Sequence, residues 1–280
     1  MSSEKISLAH ASILSSMKNS GTMIADYSFA YIYLYRDLYG FEYVPEGRGA
    51  VTGCTYDSVP YIMPVAPPDC ESIVDLAVSG ARMIFPVDEC CLEFFKGIAV
   101  RTEAVRGDAD YIYSIDKLKY YAGRKLHGQK NLLNQFFHRH SHEIYPLNAD
   151  NAPSALDVLD LWQDENGQPP EKTDYRYCRE GVLLMKELYL TGYLFLADGK
   201  PAGFLIGEII NGDTFAVLFA KGLRAVKGIY QFMNSSAAHA QPEGVRYFNF
   251  QQDMDIEGLR RAKMSYNPDM ILDKYRVYLR

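Results

Sequence analysis

Residues Thr214 to Ala240 carry an apolar run, TFAVLFAKG, through LRAVKG directly into a helical pattern, IYQFMNSSAAHA. A strand that feeds a helix through so short a turn requires a sheet and a helix in adjoining layers. The order also presents the unsatisfied amides of a helix N-terminus, with Arg224 and Lys227 beside them, where an anionic group can sit. The turn lacks the Gly-Lys-Ser/Thr ending of a P-loop and the Gly-x-Gly-x-x-Gly spacing, so neither nucleotide fingerprint applies. The same residues also suit an ordinary strand-to-helix turn with solvated basic side chains, and the sequence leaves both readings open.

The strand that enters this turn is the third of a predicted antiparallel meander, YLFLADG, KPAGFLIGEIING and DTFAVLFAKG, because ADGKP and INGD are compact turn sequences. Helical regions ALDVLDLWQDENG and YCREGVLLMKELYLTG precede it. The strand VRYFNF, a helix around IEGLRRAKMSY and a final strand DKYRVYLR follow it. A comparable order occupies the first half. Strands are predicted at FAYIYLYRD, FEYVPEG, GAVTGCTY and PYIMPV, a helix at PPDCESIVDLAVSG, a strand at ARMIFPV and a short helix at DECCLEFFKG. Many of the 22 tyrosines alternate with apolar residues here, as aromatic strands do. Two rounds of meander followed by strand, helix and strand predict an α+β fold of two modules, 1–108 and 141–280, joined by a basic helical connector, 109–140. A chain of 280 residues is long enough for two domains of ordinary size. In the connector, Arg124, His127, Asn131 and Asn134 share one face of a continuous helix, with Lys125 and Lys130 at its margins and breaks expected near Gly123 or Gly128.

With 29 Lys+Arg against 35 Asp+Glu, the net charge of -6 argues against DNA as a partner while allowing a local basic groove. Five cysteines, Cys54, Cys70, Cys90, Cys91 and Cys178, form no CxxC pair and point to a reducing, cytoplasmic setting. The N-terminus lacks a signal-peptide core, and no apolar run approaches the length of a membrane span.

The motifs DYIY (110–113), GRKLHGQKNLLNQF (123–136), RAVKGIYQFMN (224–234) and DMDIEGLRRAKMSYNP (253–268) resemble the phosphatidylglycerol lysyltransferase C-terminal domain family. The resemblance implies two tandem GNAT-like acyltransferase modules, the second carrying the donor groove. It further implies a donor pyrophosphate or tRNA end at the 222–228 turn, where Gly222 and Gly228 permit close backbone approach, Val226 lies between, and Arg224 and Lys227 supply charge. Membrane-bound relatives move an amino acid from aminoacyl-tRNA to a lipid headgroup. This chain departs from them in its missing spans and its negative charge.

GNAT-like sites position an acyl donor and an amine, and backbone amides stabilise the carbonyl oxygen. Candidate groups for holding the acceptor ammonium and taking its proton are Asp253, Asp255 and Glu257, although each also suits a pair with Arg260 or Arg261. Lys263 joins the cleft-lining set of Arg124, Lys125, His127, Lys130 and Asn131, while Tyr266, as a catalytic candidate, and Asn267, as a donor-binding one, either donate hydrogen bonds into the groove or end a helix before Pro268. His138, His140 and His142 share a side if extended, but no neighbouring cluster completes a metal site, so a surface histidine cluster is expected. Trp162 is read as packing. The expected function is transfer of an acyl or aminoacyl group from acyl-CoA or aminoacyl-tRNA, as a co-substrate and not a resident cofactor, to an amine or hydroxyl. The alternatives are a non-catalytic protein that binds a nucleotide, a tRNA end or a peptide, and, more remotely, a metal-dependent hydrolase.

Overall fold

The computed structural model describes residues 2–15, 17, 21–65 and 80–280, so Cys70 and all but the last residue of the helix expected at 67–80 lie outside the described residues. The chain divides into two compact units, Met1–Tyr111 with Gln251–Arg260 and Ile271–Arg280, and Ile112–Phe250 with Arg261–Met270.

In the first unit, β1 (Glu4–Lys5) and α1 (Ala11–Leu14) are followed by α2 (Phe29–Leu34) and α3 (Arg36–Tyr39). Helices thus replace the strand expected at FAYIYLYRD. Ser28 caps α2 by accepting from Tyr31 N at 3.0 Å, and every residue from Phe29 to Leu34 is buried. The alternating aromatics reflected burial on all sides of a helix, which a period-two pattern imitates when both of its phases are apolar. The expected strands follow as β2 (Glu42–Val44), β3 (Ala50–Cys54), β4 (Pro60–Pro64) and β5 (Met83–Val87), and β6 (Ala99–Ala104) is a further strand that the sequence pattern does not predict. The C-terminal strand β14 (Tyr275–Leu279) enters between β5 and β6, antiparallel to both, giving the order β1-β2-β3-β4-β5-β14-β6. Val277 and Leu279 pack with Val44, Ile62, Ile84 and Phe95 in its core. The sequence order places this last strand in the second module, but alternation identifies a strand without identifying its sheet.

The second unit starts within the stretch expected to be a connector. There β7 (Asp110–Ser114) leads to α4 (Ile115–Tyr120), a 3-10 turn (Arg124–Leu126) and α5 (His127–Arg139), the break falling at Gly123, whose φ is 94°. Next come β8 (His142–Pro146), α6 (Ala152–Asn166), α7 (Tyr175–Leu183) and the expected meander β9 (Thr191–Ala197), β10 (Lys200–Ile209) and β11 (Thr214–Gly222). The remaining elements are α8 (Ile229–His239), β12 (Tyr247–Asn249), α9 (Glu257–Met264), whose residues through Arg260 belong to the first unit, and β13 (Met270–Leu272), with sheet order β13-β7-β12-β11-β10-β9-β8. Because β7 is a buried strand paired with β12, and Phe136 of α5 stacks on Phe232 of α8 at 4.3 Å, residues 112–140 belong to this unit's core and surface and do not form a separate linker. Parallel β12 pairs with Thr214–Ala216 only, and β11 runs on to Gly222 beyond that paired stretch.

Candidate functional site in the second unit

At the end of β11 the backbone comes unusually close to its neighbours. A Cβ on Gly203 would lie 2.5 Å from Met233 Sδ, and one on Gly222 would lie 3.0 Å from Ile229, so α8 sits tight against the strand ends. Gly228 caps α8 in the left-handed region, at φ 87°, without a side-chain cap. A Cβ there would stand 2.4 Å from the Leu132 carbonyl oxygen, so the backbone of α5 seals one side of the turn. Within the turn, Leu223 N donates to Ala202 O, Val226 N to Leu223 O and Ile229 N to Val226 O. Arg224 and Lys227 are exposed.

Helices α6 and α7 hold the other side. Lys221, the one charge in an otherwise apolar strand, donates to both oxygens of Asp174 at 2.6 and 2.8 Å, and its ammonium lies 3.8 Å from the centre of the Trp162 ring. One turn further along α6, Glu165 accepts from Arg224 N at 2.8 Å, and Arg224 Nη1 donates to the Glu165 carbonyl at 3.3 Å. Trp162, expected to be packing alone, also carries this cation. The signal in the sequence was a lysine ending a buried strand, which demands a partner.

Behind the turn lies a buried neutral network. Gln231 Nε2 donates to Gln129 Oε1 at 2.7 Å and to Tyr266 Oη at 3.0 Å, Gln129 donates to Ser265 O and Oγ, and Asn234 hydrogen-bonds both Tyr121 and Tyr266. Burial, aided by Tyr230, pushes the Tyr266 phenol above its ordinary range, so it stays protonated. Gly222 N donates to Tyr230 Oη at 3.3 Å, which links the strand end to α8. Asn267, at φ 49°, has its carbonyl held by Lys117 Nζ at 2.6 Å, and the Lys263 carbonyl accepts from Tyr113 Oη. Arg124, Lys125, His127, Lys130 and Asn131 are all exposed, with His127 Nδ1 3.3 Å from Asn131 Nδ2. Contacts within this unit therefore connect the 222–228 turn, the basic segment of α5 and the Tyr266–Asn267 stop.

Asp253, Asp255 and Glu257 fall in the first unit. Asp253 is fully buried and accepts from Arg260 Nε and Nη2 at 2.8 and 2.9 Å, from Tyr111 Oη and from Asp255 N. Burial opposes its ionisation, but Arg260 and Tyr111 outweigh burial and hold the carboxyl below the usual range. A carboxylate so engaged is an ion-pair anchor, and the base role expected for it does not fit this geometry. Asp255 accepts from Tyr56 and Arg260, while Glu257 is exposed in the first turn of α9. The three histidines also make different contacts. His138 is exposed near the end of α5, His140 Nδ1 meets Asp198 at 2.6 Å, and the His142 ring packs 4.9 Å from Phe137. Among the described residues, no group of three or more His, Cys, Asp or Glu is arranged to hold a metal ion.

Two mixed α+β units, the second with a β11 that runs on past three-residue β12 and a glycine-capped turn into α8, define a tandem GNAT-like fold. The family model for "Phosphatidylglycerol lysyltransferase, C-terminal" matches residues 20–278, and the chain belongs to that family. A conserved protein of unknown function from Bacteroides thetaiotaomicron is 26% identical, with a TM-score of 0.86 and coverage of 99% of both chains. A C-terminal domain from Agrobacterium fabrum, named for lysylphosphatidylglycerol synthetase, superposes at TM-score 0.63 with 13% identity, covering 97% of this chain and 92% of that one. FemX superposes at 0.58 with 10% identity, covering 100% and 98%. No curated protein matches the chain. Among the described residues, no helix is long and apolar enough to cross a membrane.

Proposed function

We propose that this chain, a transferase by family, moves an acyl or aminoacyl group from acyl-CoA or aminoacyl-tRNA to an amine or hydroxyl, with the donor's phosphate at the 222–228 turn. The observation that carries this reading is Gly228. Its left-handed cap, pressed on the Leu132 carbonyl, leaves the first turn of α8 without a side-chain cap beside Arg224 and Lys227, which is the arrangement an anionic donor requires. Backbone amides at the end of β11, beyond its pairing with β12, would polarise the donor carbonyl, and the acceptor nucleophile would attack it as the thiol or ribose hydroxyl departs. In this reading neutral Tyr266 serves as a hydrogen-bonding group and not as a base. The engagement of Asp253 by Arg260 favours a second reading, a protein that keeps the groove and binds without turnover.

The test is incubation of the protein with labelled acetyl-CoA, or with a pool of charged tRNA, in the presence of mixed amines, alongside thermal melts with each donor. Donor-dependent product supports transfer, and a raised melting temperature without product supports binding alone. If neither donor raises the melting temperature or is consumed, both readings fail.

A further inference from the structure

We propose that Glu165 is a built-in competitor for the donor's anionic group, so that its carboxylate sets how strongly charged a ligand must be to enter the turn. This rests on the reading of the turn as the donor site. A phosphate in such a turn draws on backbone N–H groups and on a guanidinium. Here the Arg224 amide donates to the Glu165 carboxylate at 2.8 Å, and the Arg224 guanidinium donates to the same residue's carbonyl at 3.3 Å.

The contact is seated by a second one, around the buried Lys221 ammonium. Three residues earlier on α6, Trp162 lies against the Lys221 ammonium, whose side chain is 7% exposed and is held by both oxygens of Asp174. Lys221 stands one residue before Gly222, so its contact with Trp162 fixes the end of α6, which carries Glu165, against the end of β11, and its pair with Asp174 fixes the start of α7 there. The Glu165 contact itself is exposed, so a ligand from solvent can reach and displace it. A tethered carboxylate competes at high effective concentration, so a weakly charged ligand fails to displace it. A polyphosphate, with more charge and more acceptor oxygens, succeeds, and its arrival expels Glu165 from the turn. Glu165 touches no reacting atom in this scheme and acts as a specificity-determining residue.

The test is calorimetric titration of the full chain with inorganic pyrophosphate and, separately, with inorganic phosphate. The parent is compared with Glu165→Gln, Glu165→Ala, a neighbouring acidic control Asp164→Asn, and Arg224→Ala with Lys227→Ala, each confirmed folded by its melting curve. Both Glu165 variants should tighten pyrophosphate binding by about tenfold and narrow its advantage over phosphate, while Asp164→Asn stays within about twofold. Equal tightening by Asp164→Asn would reduce the effect to general charge and overturn the assignment. Binding that Arg224→Ala with Lys227→Ala abolishes but the Glu165 variants leave unchanged would overturn Glu165 alone and leave the donor site standing. Binding indifferent to all of these variants would place the anion elsewhere and overturn the donor reading together with this one.

Discussion

Gly228 is the residue on which the shape of the turn depends, and two separate constraints act on it. Its φ of 87° disfavours any side chain, and a Cβ would meet the Leu132 carbonyl oxygen at 2.4 Å. Gly212 offers the comparison, because at φ 90° it has nothing within 4 Å. Gly212→Ala should therefore cost only the left-handed conformation, about 1 kcal/mol, whereas Gly228→Ala should cost roughly 3 kcal/mol because α5 must also shift. Urea unfolding of the two variants checks this, and equal losses would show that the contact with α5 is slack. Asp253 supports a second prediction at this scale. Its folded pKa is depressed, so near and below about pH 4 the unfolded chain binds more protons than the folded one. The stability it contributes is present above that range and lost as pH falls toward the folded value. Asp26 has the opposite sign. Burial raises its pKa, helped by Asp110 and opposed by Lys274, so its contribution is present in acid and lost as pH rises through the folded value. Asp253→Asn should make the loss of stability in acid shallower, and Asp26→Asn should make it steeper. Urea midpoints measured from about pH 3 to pH 7 give both slopes.

At the scale of elements, β14 is held in place by charge as well as by pairing. Just before it, Lys274 is buried and donates to Asp26, Asp110 and Gln252, and on it Arg276 grips Asp108 and Asp57 with paired hydrogen bonds. Lys274→Met would leave two buried carboxylates without their cation and should cost about 3 to 5 kcal/mol. Adding Asp110→Asn should recover part of that loss, and a double-mutant cycle on unfolding free energies measures how much. Additive losses would mean that Lys274 and Asp110 do not interact energetically. These pairs also show where sequence reading ran out. The meander β9-β10-β11 was legible because its turn residues are local. The partners of β14 were not, because Lys274 and Asp110 lie 164 residues apart and strand alternation carries no address. The motifs that resembled the family were legible as motifs, yet Asp110 and Asp253 spend their carboxylates on Lys274 and Arg260. The donor turn was readable from the order of strand, turn and helix, but Glu165 and Asp174, which close on it from α6 and α7, had no signal beyond being acidic.

Across the whole molecule, a net charge of -6 opposes any polyanionic donor, so attraction must come from a local face. Arg124 and Lys125, in the 3-10 turn before α5, and Lys130, in its first turn, are exposed, and the Leu132 carbonyl of α5 closes the turn carrying Arg224 and Lys227. This distribution separates the two proposed donors. A charged tRNA has a phosphate backbone long enough to reach past the turn to the three cations, whereas the phosphates of acyl-CoA are confined near Arg224 and Lys227. Replacing Arg124, Lys125 and Lys130 together with alanine should leave the melting temperature nearly unchanged, since exposed charges contribute only tenths of a kcal/mol. If the donor is tRNA, the variant should bind it more weakly, and the slope of log affinity against log salt should fall by about 2, at roughly 0.7 per single-strand phosphate contact. If the donor is acyl-CoA, that slope should barely move, while Arg224→Ala with Lys227→Ala still weakens binding. A collapse of the melting temperature would instead show that the three cations are paired structurally. Filter binding of tRNA and calorimetry of acyl-CoA across a salt series distinguish these outcomes, and unchanged binding of both donors would leave these three cations a solvated surface.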